Sequence, residues 1–168
     1  MAKLYESDEL EMSPHRSPLP DFSFTSSADL GDLANSKYLH LNLRTLPPDK
    51  FSYPYHSHRN AEELFVILEG TATLRTPDGY QRIGRGDIVF FEEGASGAHQ
   101  LYNHSSAPCV YLDLRTEANV DVCDYPDSGK INVLPALDIF EASSRVPYTT
   151  GEEGIRDRWP ADIVKSEE

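Results

Sequence analysis

The sequence predicts an all-β domain, either a sandwich or a barrel. Between about residues 38 and 115 the 168-residue chain is a succession of short β-rich stretches separated by turn residues, with no helical pattern of useful length. In the first stretch, Leu39, Leu41 and Leu43 alternate with polar residues, as in a half-buried strand, and the Pro-Pro-Asp-Lys run at 47–50 then ends it. A chain of this length is most simply one domain.

The remaining strands are predicted around two turn signals, Thr76–Gly79 and Gly84–Asp87. They cover Glu63–Leu68, Thr71–Thr76, Tyr80–Ile83, Ile88–Phe91, His99–Asn103 and Val110–Arg115. The Ile88–Phe91 strand is fully apolar, and a glycine-containing loop follows it. Many short strands at near-regular spacing are typical of a sandwich or barrel.

Both flanks of this region differ from it in composition. Residues 1–36 are rich in Ser, Pro, Asp and Glu and show no sustained apolar period, so we predict an arm that is at most partly ordered. The predicted division is an N-terminal arm at 1–36, a β-barrel at 37–116 and a C-terminal extension at 117–168.

Within the C-terminal extension, Asp121–Ile131 predicts an extended segment with a turn. Asp138–Ala142 and Ala161–Lys165 each predict a short helix. Trp159, the only tryptophan, is expected to anchor the extension on the barrel because an indole ring buries a large apolar area.

Charge and hydropathy limit the classes of partner that the protein can bind. The formal net charge of -13, from 28 acidic and 15 basic side chains, argues against binding to nucleic acid or to an anionic membrane surface. No apolar stretch approaches the roughly 18 residues of a membrane helix, and the first residues contain no apolar signal core. We therefore expect a cytoplasmic protein whose partner is a small molecule.

Cys109 and Cys123 are the only cysteines, too few for a disulfide scaffold and without the paired spacing of a zinc knuckle. Cys109 is expected to be a small buried thiol on a strand. A catalytic thiol is the weaker alternative, because no histidine lies near it in sequence.

Histidines and an acidic pair are the best candidates for metal ligands. His56 and His58 are two residues apart, so on a strand both imidazoles point to the same face. Glu62 and Glu63 follow after a loop, and only one of them can point inward because neighbouring strand residues face opposite ways. His99 lies in a later turn-and-strand unit. Three imidazoles and one carboxylate can hold a divalent iron, manganese, nickel, copper or zinc ion and leave room for water or substrate.

This pattern resembles the first motif of the cupins, a family of small double-stranded β-helix (jelly-roll) barrels. That motif is His-x-His, three or four residues, Glu, six residues and Gly. Here it stands as His56-Ser57-His58, four residues, Glu63, six residues and Gly70. The glycine usual six residues before the first histidine is Lys50.

A second cupin motif runs Gly, five residues, Pro-x-Gly, two residues, His, three residues and Asn. This chain has Gly86, five residues, Glu92-Glu93-Gly94, four residues, His99, three residues and Asn103. Glu92 therefore replaces the proline and the loop is two residues longer, but the strand that begins at His99 keeps its register.

The resemblance covers about residues 38–115 and implies a metal site whose ligands are His56, His58, Glu63 and His99. The six-residue spacing to Gly70 favours Glu63 over Glu62, and Asn103 would be a structural polar residue. Asp121–Lys130 more loosely resembles the extension of a subgroup of small cupins, some labelled sugar-phosphate isomerase-like. Barrels of this family usually pair, so we expect a homodimer, to which the N-terminal arm could add a strand at a neighbour's open sheet edge.

Other side chains are weaker candidates for the site. His15, His40 and His104, taken singly, are expected to be surface or satisfied core residues, although His40 lies on a strand that could reach the barrel mouth. Glu92 and Glu93 could supply a general base but are expected to be solvated loop carboxylates. Phe51, Tyr53 and Tyr55 could line the barrel mouth, or they could pack in the core or at a dimer interface. Arg44 and Arg75 could bind a carboxylate or phosphate, or they could be ordinary surface arginines.

Three functions are compatible with this sequence. The first is a metal-dependent enzyme, such as a dioxygenase, decarboxylase or isomerase, acting on a small oxygen-rich carboxylate or sugar-like molecule. The alternative is a non-catalytic module that binds or senses a small ligand. A barrel retained for assembly alone is disfavoured because all four ligand positions are filled. The prediction is a metal-binding cupin with a divalent iron, manganese, nickel or zinc ion.

Overall fold

The computed structural model describes residues 2–164, in which antiparallel β-strands predominate. The strands are β1 (Met12–Pro14), β2 (Thr25–Ser27), β3 (Leu39–Leu46), β4 (Ser57–His58), β5 (Glu63–Glu69), β6 (Thr71–Thr76), β7 (Gly79–Gly84), β8 (Ile88–Phe91), β9 (Gln100–Tyr102), β10 (Cys109–Thr116), β11 (Asp121–Tyr125), β12 (Lys130–Leu134) and β13 (Asp138–Glu141). The helical segments are α1 (Leu30–Ala34) and three 3-10 turns, Ala95–Gly97, Ala142–Ser144 and Ile155–Arg158.

Two layers of antiparallel sheet enclose the core. One layer is a six-stranded sheet in the order β1-β2-β3-β10-β5-β8. The other contains a three-stranded sheet, β7-β6-β9, and a four-stranded sheet, β13-β12-β11-β4, which meet at an antiparallel bridge between His56 and His99. This is a double-stranded β-helix barrel, so the all-β jelly-roll fold class predicted from the sequence is confirmed.

Strand β10, in the middle of the six-stranded sheet, positions several interior side chains. Tyr111, Asp113 and Arg115 alternate along it on the face that points into the barrel. Arg115 is directly opposite Glu63 of β5 on one side and His40 of β3 on the other. Because directly opposite residues project from the same face of a sheet, these three side chains share one end of the interior.

The apolar core fills the rest of the interior. Its members are Phe24, Leu46, Phe65, Ile67, Ala72, Leu74, Ile83, Phe91, Leu101, Cys109 and Tyr111. Phe91 stacks on the His99 ring with centroids 3.8 Å apart, so the core continues up to the histidines. Cys109 is the buried thiol expected, and burial raises its pKa to about 11.

Gly70 joins β5 to β6 in a conformation that favours glycine. Its φ is +75°, and a Cβ there would lie 2.2 Å from the Pro108 carbonyl oxygen. A larger residue would force the strands apart directly after the strand that carries Glu63.

Most barrel strands lie where the alternation of apolar residues predicts them, and Thr71–Thr76 agrees at both ends. The fully apolar Ile88–Phe91 strand is found, but it is the edge strand β8, and Ile88 and Phe90 are 67% and 57% exposed. An apolar run does not show on its own whether both faces of the strand are covered.

Residues 12–34 differ from the at most partly ordered arm that their composition predicts. Strand β2 pairs with β1 and with β3 of the same chain, and Asp29 caps the N-terminus of α1 by accepting a hydrogen bond from the Gly31 amide. Phe24 belongs to the core, and Leu30 is buried. Isolated apolar residues such as these produce no periodic signal in the sequence. Where the domain boundaries fall stays a prediction.

In the C-terminal extension, the predicted extended segment and turn is the β11–β12 hairpin. The helix predicted at Asp138–Ala142 is wrong, because residues 138–141 form β13 and pair with β12. Of Ala161–Lys165, residues 161–163 are turns, and Lys165 lies outside the described residues. Trp159 was expected to anchor the extension on the barrel, but it is 55% exposed.

No helix within residues 2–164 is long and apolar enough to cross a membrane.

Candidate metal centre

Both layers of the barrel contribute to a cluster of three histidines and one glutamate. His56 and His99 exchange backbone hydrogen bonds, with N···O distances of 3.2 and 2.8 Å. His58 is held on its two sides by β11 and by the Gly94 amide, which donates to the His58 carbonyl oxygen. Glu63 approaches from the opposite layer, at the first position of β5. All four side chains are buried.

Hydrogen bonds fix the ring orientation of two of the histidines. Nδ1 of His56 lies 2.8 Å from the Pro54 carbonyl oxygen, and Nδ1 of His99 lies 2.9 Å from the Gly97 carbonyl oxygen. A carbonyl oxygen can only accept, so Nδ1 of each ring is the donor. Nε2 of each neutral ring therefore presents a lone pair, which is the state that a metal ion requires.

A carboxylate performs the same task for His58. Nδ1 of His58 lies 2.5 Å from Oδ2 of Asp121, and Oδ1 of Asp121 accepts hydrogen bonds from the Asn60 and Val122 amides. The two backbone amides thus fix the Asp121 carboxylate, which in turn orients the His58 imidazole. The sequence analysis missed Asp121, which is 63 residues from His58, because only the pairing of β4 with β11 brings the two together.

Glu63 has the inward position at the centre, and Glu62 is exposed. Oε2 of Glu63 lies 3.3 Å from Nε2 of His58 and 3.0 Å from Nε2 of His99. The possible ligand atoms of His56, His58 and Glu63 all lie within 4.8 Å of one another, and His99 adjoins this group through Glu63.

The donor set fits a divalent transition metal. Within the described residues, neither Oε2 of Glu63 nor Nε2 of His99 has a hydrogen-bond partner. In the neutral His99 ring the proton is on Nδ1, so Nε2 and the Glu63 carboxylate oxygen are both acceptors and face each other at 3.0 Å. A cation between them would satisfy both, and a set of imidazole nitrogens and one carboxylate is typical of iron, manganese, nickel or zinc sites.

Electrostatics around the centre follow from burial and from these contacts. Burial, reinforced by the neighbouring His99 ring, lowers the pKa of His56 to about 3. Burial also opposes charge on His58, but its hydrogen bond to Asp121 outweighs this and raises the pKa to about 11. The pKa of Glu63 is held well below its usual value because His99 and His58 outweigh the cost of burying its charge.

A cavity of about 270 Å³ opens from the centre. His56, His58 and Glu63 form part of its wall. The other polar side chains that line it include Arg44, Tyr53, Asp113, Arg115, Tyr125 and Asn132. Five of the lining residues belong to the C-terminal extension, since Cys123, Leu134 and Leu137 join Tyr125 and Asn132, so the extension builds one side of the cavity.

Arg44 and Asp113 form a buried ion pair in the cavity wall, with Nη1 and Oδ2 2.5 Å apart. The Arg44 guanidinium also lies over the rings of Phe24 and Tyr53, at 5.3 and 4.9 Å from their centroids. Burial and the nearby Glu63 carboxylate raise the pKa of Asp113 well above its usual value, although Arg44 opposes this.

The weaker candidates divide into those that reach the cavity and those that do not. Arg44 and Tyr53 line it, and His40 lies at its edge, where its ring nitrogens contact Asp29 and Glu117. The others lie elsewhere. Arg75 pairs with Asp127, and its guanidinium lies over the Tyr55 ring. Phe51 stacks on Tyr102, and His15 stacks on Phe24. His104 contacts Thr73, and both Glu92 and Glu93 are exposed. The buried Asn103 donates to two carbonyl oxygens, as a structural residue does.

Arg115 was missed, although alternation along its strand carries a signal for it. Asp113 and Arg115 stand two residues apart in a stretch that is otherwise mostly apolar. Charged residues on the inward face of a barrel strand indicate a site.

The fold and this centre define a class of protein, the small double-stranded β-helix barrels with a cluster of histidines and one carboxylate. Residues 42–115 match the cupin domain family. This match agrees with the resemblance that the two motifs predict. A comparison with curated proteins gives no match.

Solved structures of other proteins are similar over most of the chain. A proposed sugar phosphate isomerase from Acidithiobacillus ferrooxidans is 25% identical, with 86% of this chain and 96% of that chain covered and a TM-score of 0.76. A sugar phosphate isomerase of the cupin superfamily from Silicibacter pomeroyi is 20% identical, with coverages of 88% and 98% and a TM-score of 0.75. A predicted oxalate decarboxylase from Thermotoga maritima is 17% identical, with coverages of 69% and 100% and a TM-score of 0.57.

Asp121 gives the first test of this geometry. Asp121→Ala removes the acceptor of the His58 Nδ1 proton, so we expect metal affinity to fall about tenfold to a hundredfold. Asp121→Asn keeps an acceptor oxygen without the charge and should lose less. Isothermal titration with manganese or zinc measures both. Asp124→Asn is the matched control, because Asp124 is on the same strand but pairs with the surface residue Arg59. Equal affinities in all four proteins would contradict the role of Asp121.

Proposed function

We propose that the protein binds one divalent iron, manganese, nickel or zinc ion through Nε2 of His56, His58 and His99 and the carboxylate of Glu63. The observation that carries this proposal is the 3.0 Å contact between Oε2 of Glu63 and Nε2 of His99, two buried atoms for which the described part of the chain offers no hydrogen-bond partner. The hydrogen bonds at all three Nδ1 atoms support it, because in the neutral rings they leave the opposite ring nitrogens as lone-pair donors for a metal ion.

We further propose a metal-dependent enzyme that acts on a small oxygen-rich molecule, such as a carboxylate or a sugar derivative. The cavity of about 270 Å³ that begins at the proposed metal ligands supports this, because its size suits a small molecule. The similar structures described as sugar phosphate isomerases and as an oxalate decarboxylase agree with that substrate class.

A bound divalent ion would supply an electrophile that polarises an oxygen of the substrate. The residues of the chain supply orientation. Asp121 holds the His58 ring, and the ion pair with Asp113 holds Arg44 against Tyr53. Leu134 and Leu137 add apolar wall to the cavity and reduce the access of water.

A non-catalytic module that binds a small ligand is the second candidate. The observation in its favour is that Glu92 and Glu93, the loop carboxylates that could have served as a general base, are exposed and do not line the cavity. Asp113, which does line it, is already paired with Arg44.

Metal content tests the metal site itself. Purified wild-type protein is expected to retain about one transition-metal ion per chain, and His58→Ala should lose most of it because one nitrogen ligand is gone. Elemental analysis by mass spectrometry measures both. His104→Ala is the control, since His104 contacts Thr73 away from the centre. Equal trace metal in the wild type and in His58→Ala would overturn the proposal.

Turnover separates the enzyme from the binding module. With iron, manganese or nickel restored, we expect the wild type to convert a member of a panel of hydroxy acids, β-diketones and sugar phosphates, and His58→Ala to convert none. Product formation is followed by mass spectrometry, and ligand binding by thermal shift. Stabilisation by a ligand without any product would favour the binding module.

We also propose a homodimer that forms through the outer face of the six-stranded sheet. Except for Thr116 at the end of β10, the outward-facing side chains of β5, β8 and β10 are apolar. They are Leu64, Val66, Leu68, Ile88, Phe90, Val110, Leu112 and Leu114. An apolar face on a chain with a net charge of -13 needs a cover, and a second copy brings an identical face. The N-terminal strands already pair within their own chain, so this face replaces the strand exchange suggested by the sequence.

Light scattering at micromolar concentration tests the dimer. The wild type should have the mass of two chains, and Phe90→Glu should have the mass of one because a charge would be buried at the contact. Tyr80→Glu is the control, as an exposed aromatic residue of the other layer. A monomeric wild type would contradict the proposal.

A further inference from the structure

Arg115 lies beside the proposed metal ligands, and within residues 2–164 its side chain has no hydrogen-bond or ion-pair partner. Its position on β10 is directly opposite Glu63 of β5 and His40 of β3. The Cβ atoms of such opposite residues are about 5 Å apart, so the Arg115 side chain starts next to the centre. It is half-buried and forms part of the cavity wall.

Neighbouring charged groups are already engaged with one another. Arg44 pairs with Asp113, and His40 contacts Asp29 and Glu117 through its two ring nitrogens. The Glu63 carboxylate adjoins His58 and His99. In the part of the chain that the structure describes, no hydrogen bond or ion pair holds the Arg115 guanidinium, and its five N–H donors remain available to a ligand.

A second recess of about 220 Å³ adjoins the same side chain. Arg115, His40, Leu134 and Leu137 line both this recess and the cavity that contains the metal ligands. The Arg115 side chain therefore borders both spaces.

Charge favours an anion at this position. The guanidinium groups of Arg44 and Arg115 offset the carboxylates of Glu63 and Asp113, so a bound divalent ion leaves the cavity positive in an otherwise acidic chain. A guanidinium binds the oxygens of a phosphate or carboxylate through two parallel hydrogen bonds.

We propose that Arg115 binds the terminal phosphate or carboxylate of the ligand, whose other end lies at the metal ligands. This inference rests on the proposed function and specifies its substrate class as small molecules with an oxygen ligand for the metal at one end and an oxyanion at the other. Arg115 is thus the specificity-determining residue of the cavity. It selects dianions over neutral analogues of the same size.

Phosphonoacetate, malonate and acetate are suitable probes, because the first two carry a second anionic group and acetate does not. For manganese-loaded wild type we expect both dianions to bind more tightly than acetate. Arg115→Gln should weaken the dianions about tenfold to a hundredfold, the worth of a charge-assisted hydrogen bond in a cavity, and leave acetate close to its wild-type affinity. Arg115→Lys keeps the charge without the fork of donors and should lie between them. The ratio of phosphonoacetate to malonate affinity tells whether the site prefers phosphate-like or carboxylate groups.

Arg82→Gln is the matched control, with the same loss of charge at an exposed position of β7. Calorimetry measures probe affinity, and elemental analysis measures manganese in every variant. Normal metal content with equal dianion affinity in the wild type and Arg115→Gln, or no dianion binding by the wild type, would overturn the role of Arg115. A wild type that takes up no metal would instead refute the proposed function. Inorganic phosphate then tests Arg115 on the metal-free protein, where equal binding to the wild type and Arg115→Gln overturns its role.

Discussion

The antiparallel pairing of β4 with β11 is the contact on which the rest of the site depends. Strand β4 has two residues, and without a neighbour so short a strand would not fix the direction of His58. The pairing sets Cys123 opposite His58 and Asp124 opposite Ser57, which brings the Asp121 carboxylate to Nδ1 of the His58 ring. The ion pair between Arg59 and Asp124 lies at the surface beside this contact, where an exposed pair adds little stability. The C-terminal extension is therefore a structural part of the centre, since it orients one proposed ligand and supplies one wall of the cavity.

Burying so many polar groups at one end of a barrel costs free energy unless each group has a partner. Most of them do: Arg44 pairs with Asp113, and every site imidazole donates from Nδ1. Among the proposed ligands, the exception is the contact between Glu63 and the neutral His99 ring, where two acceptors meet. A cation would remove that repulsion, and binding it to the folded chain alone would add to the stability of the fold. The contact between Glu63 and His99 thus explains why the centre suits a cation and how a bound cation would offset the cost of burying these groups.

Much of the barrel could be predicted from the sequence because its signals are local. Alternation of apolar residues marks the strands, and the spacing from His56 to Gly70 marks one end of the site. What could not be predicted depends on contacts between distant segments. Asp121 has no motif of its own, Phe24 is a single apolar residue in a polar stretch, and Asp138–Glu141 becomes a strand only because β12 offers it a free edge. The apolar Ile88–Phe91 run predicts a strand correctly, but its exposure follows from its place at the sheet edge, which is a property of the whole topology.

Charge distribution connects the centre to the kind of ligand that fits it. Long-range repulsion from a chain with a net charge of -13 disfavours anions at the surface, so an anionic ligand needs a strong local attraction. Solvent screens the surface charges within about 10 Å at moderate ionic strength, whereas charges inside the cavity act through a medium of lower dielectric constant. A divalent ion bound as proposed, together with the nearby arginines, would therefore outweigh the surface acidic groups for a ligand that has entered. A neutral molecule of the same size would gain nothing from this field, and a cation would be opposed by it. The interior charge pattern, more than the fold, thus decides which small molecules the cavity can hold.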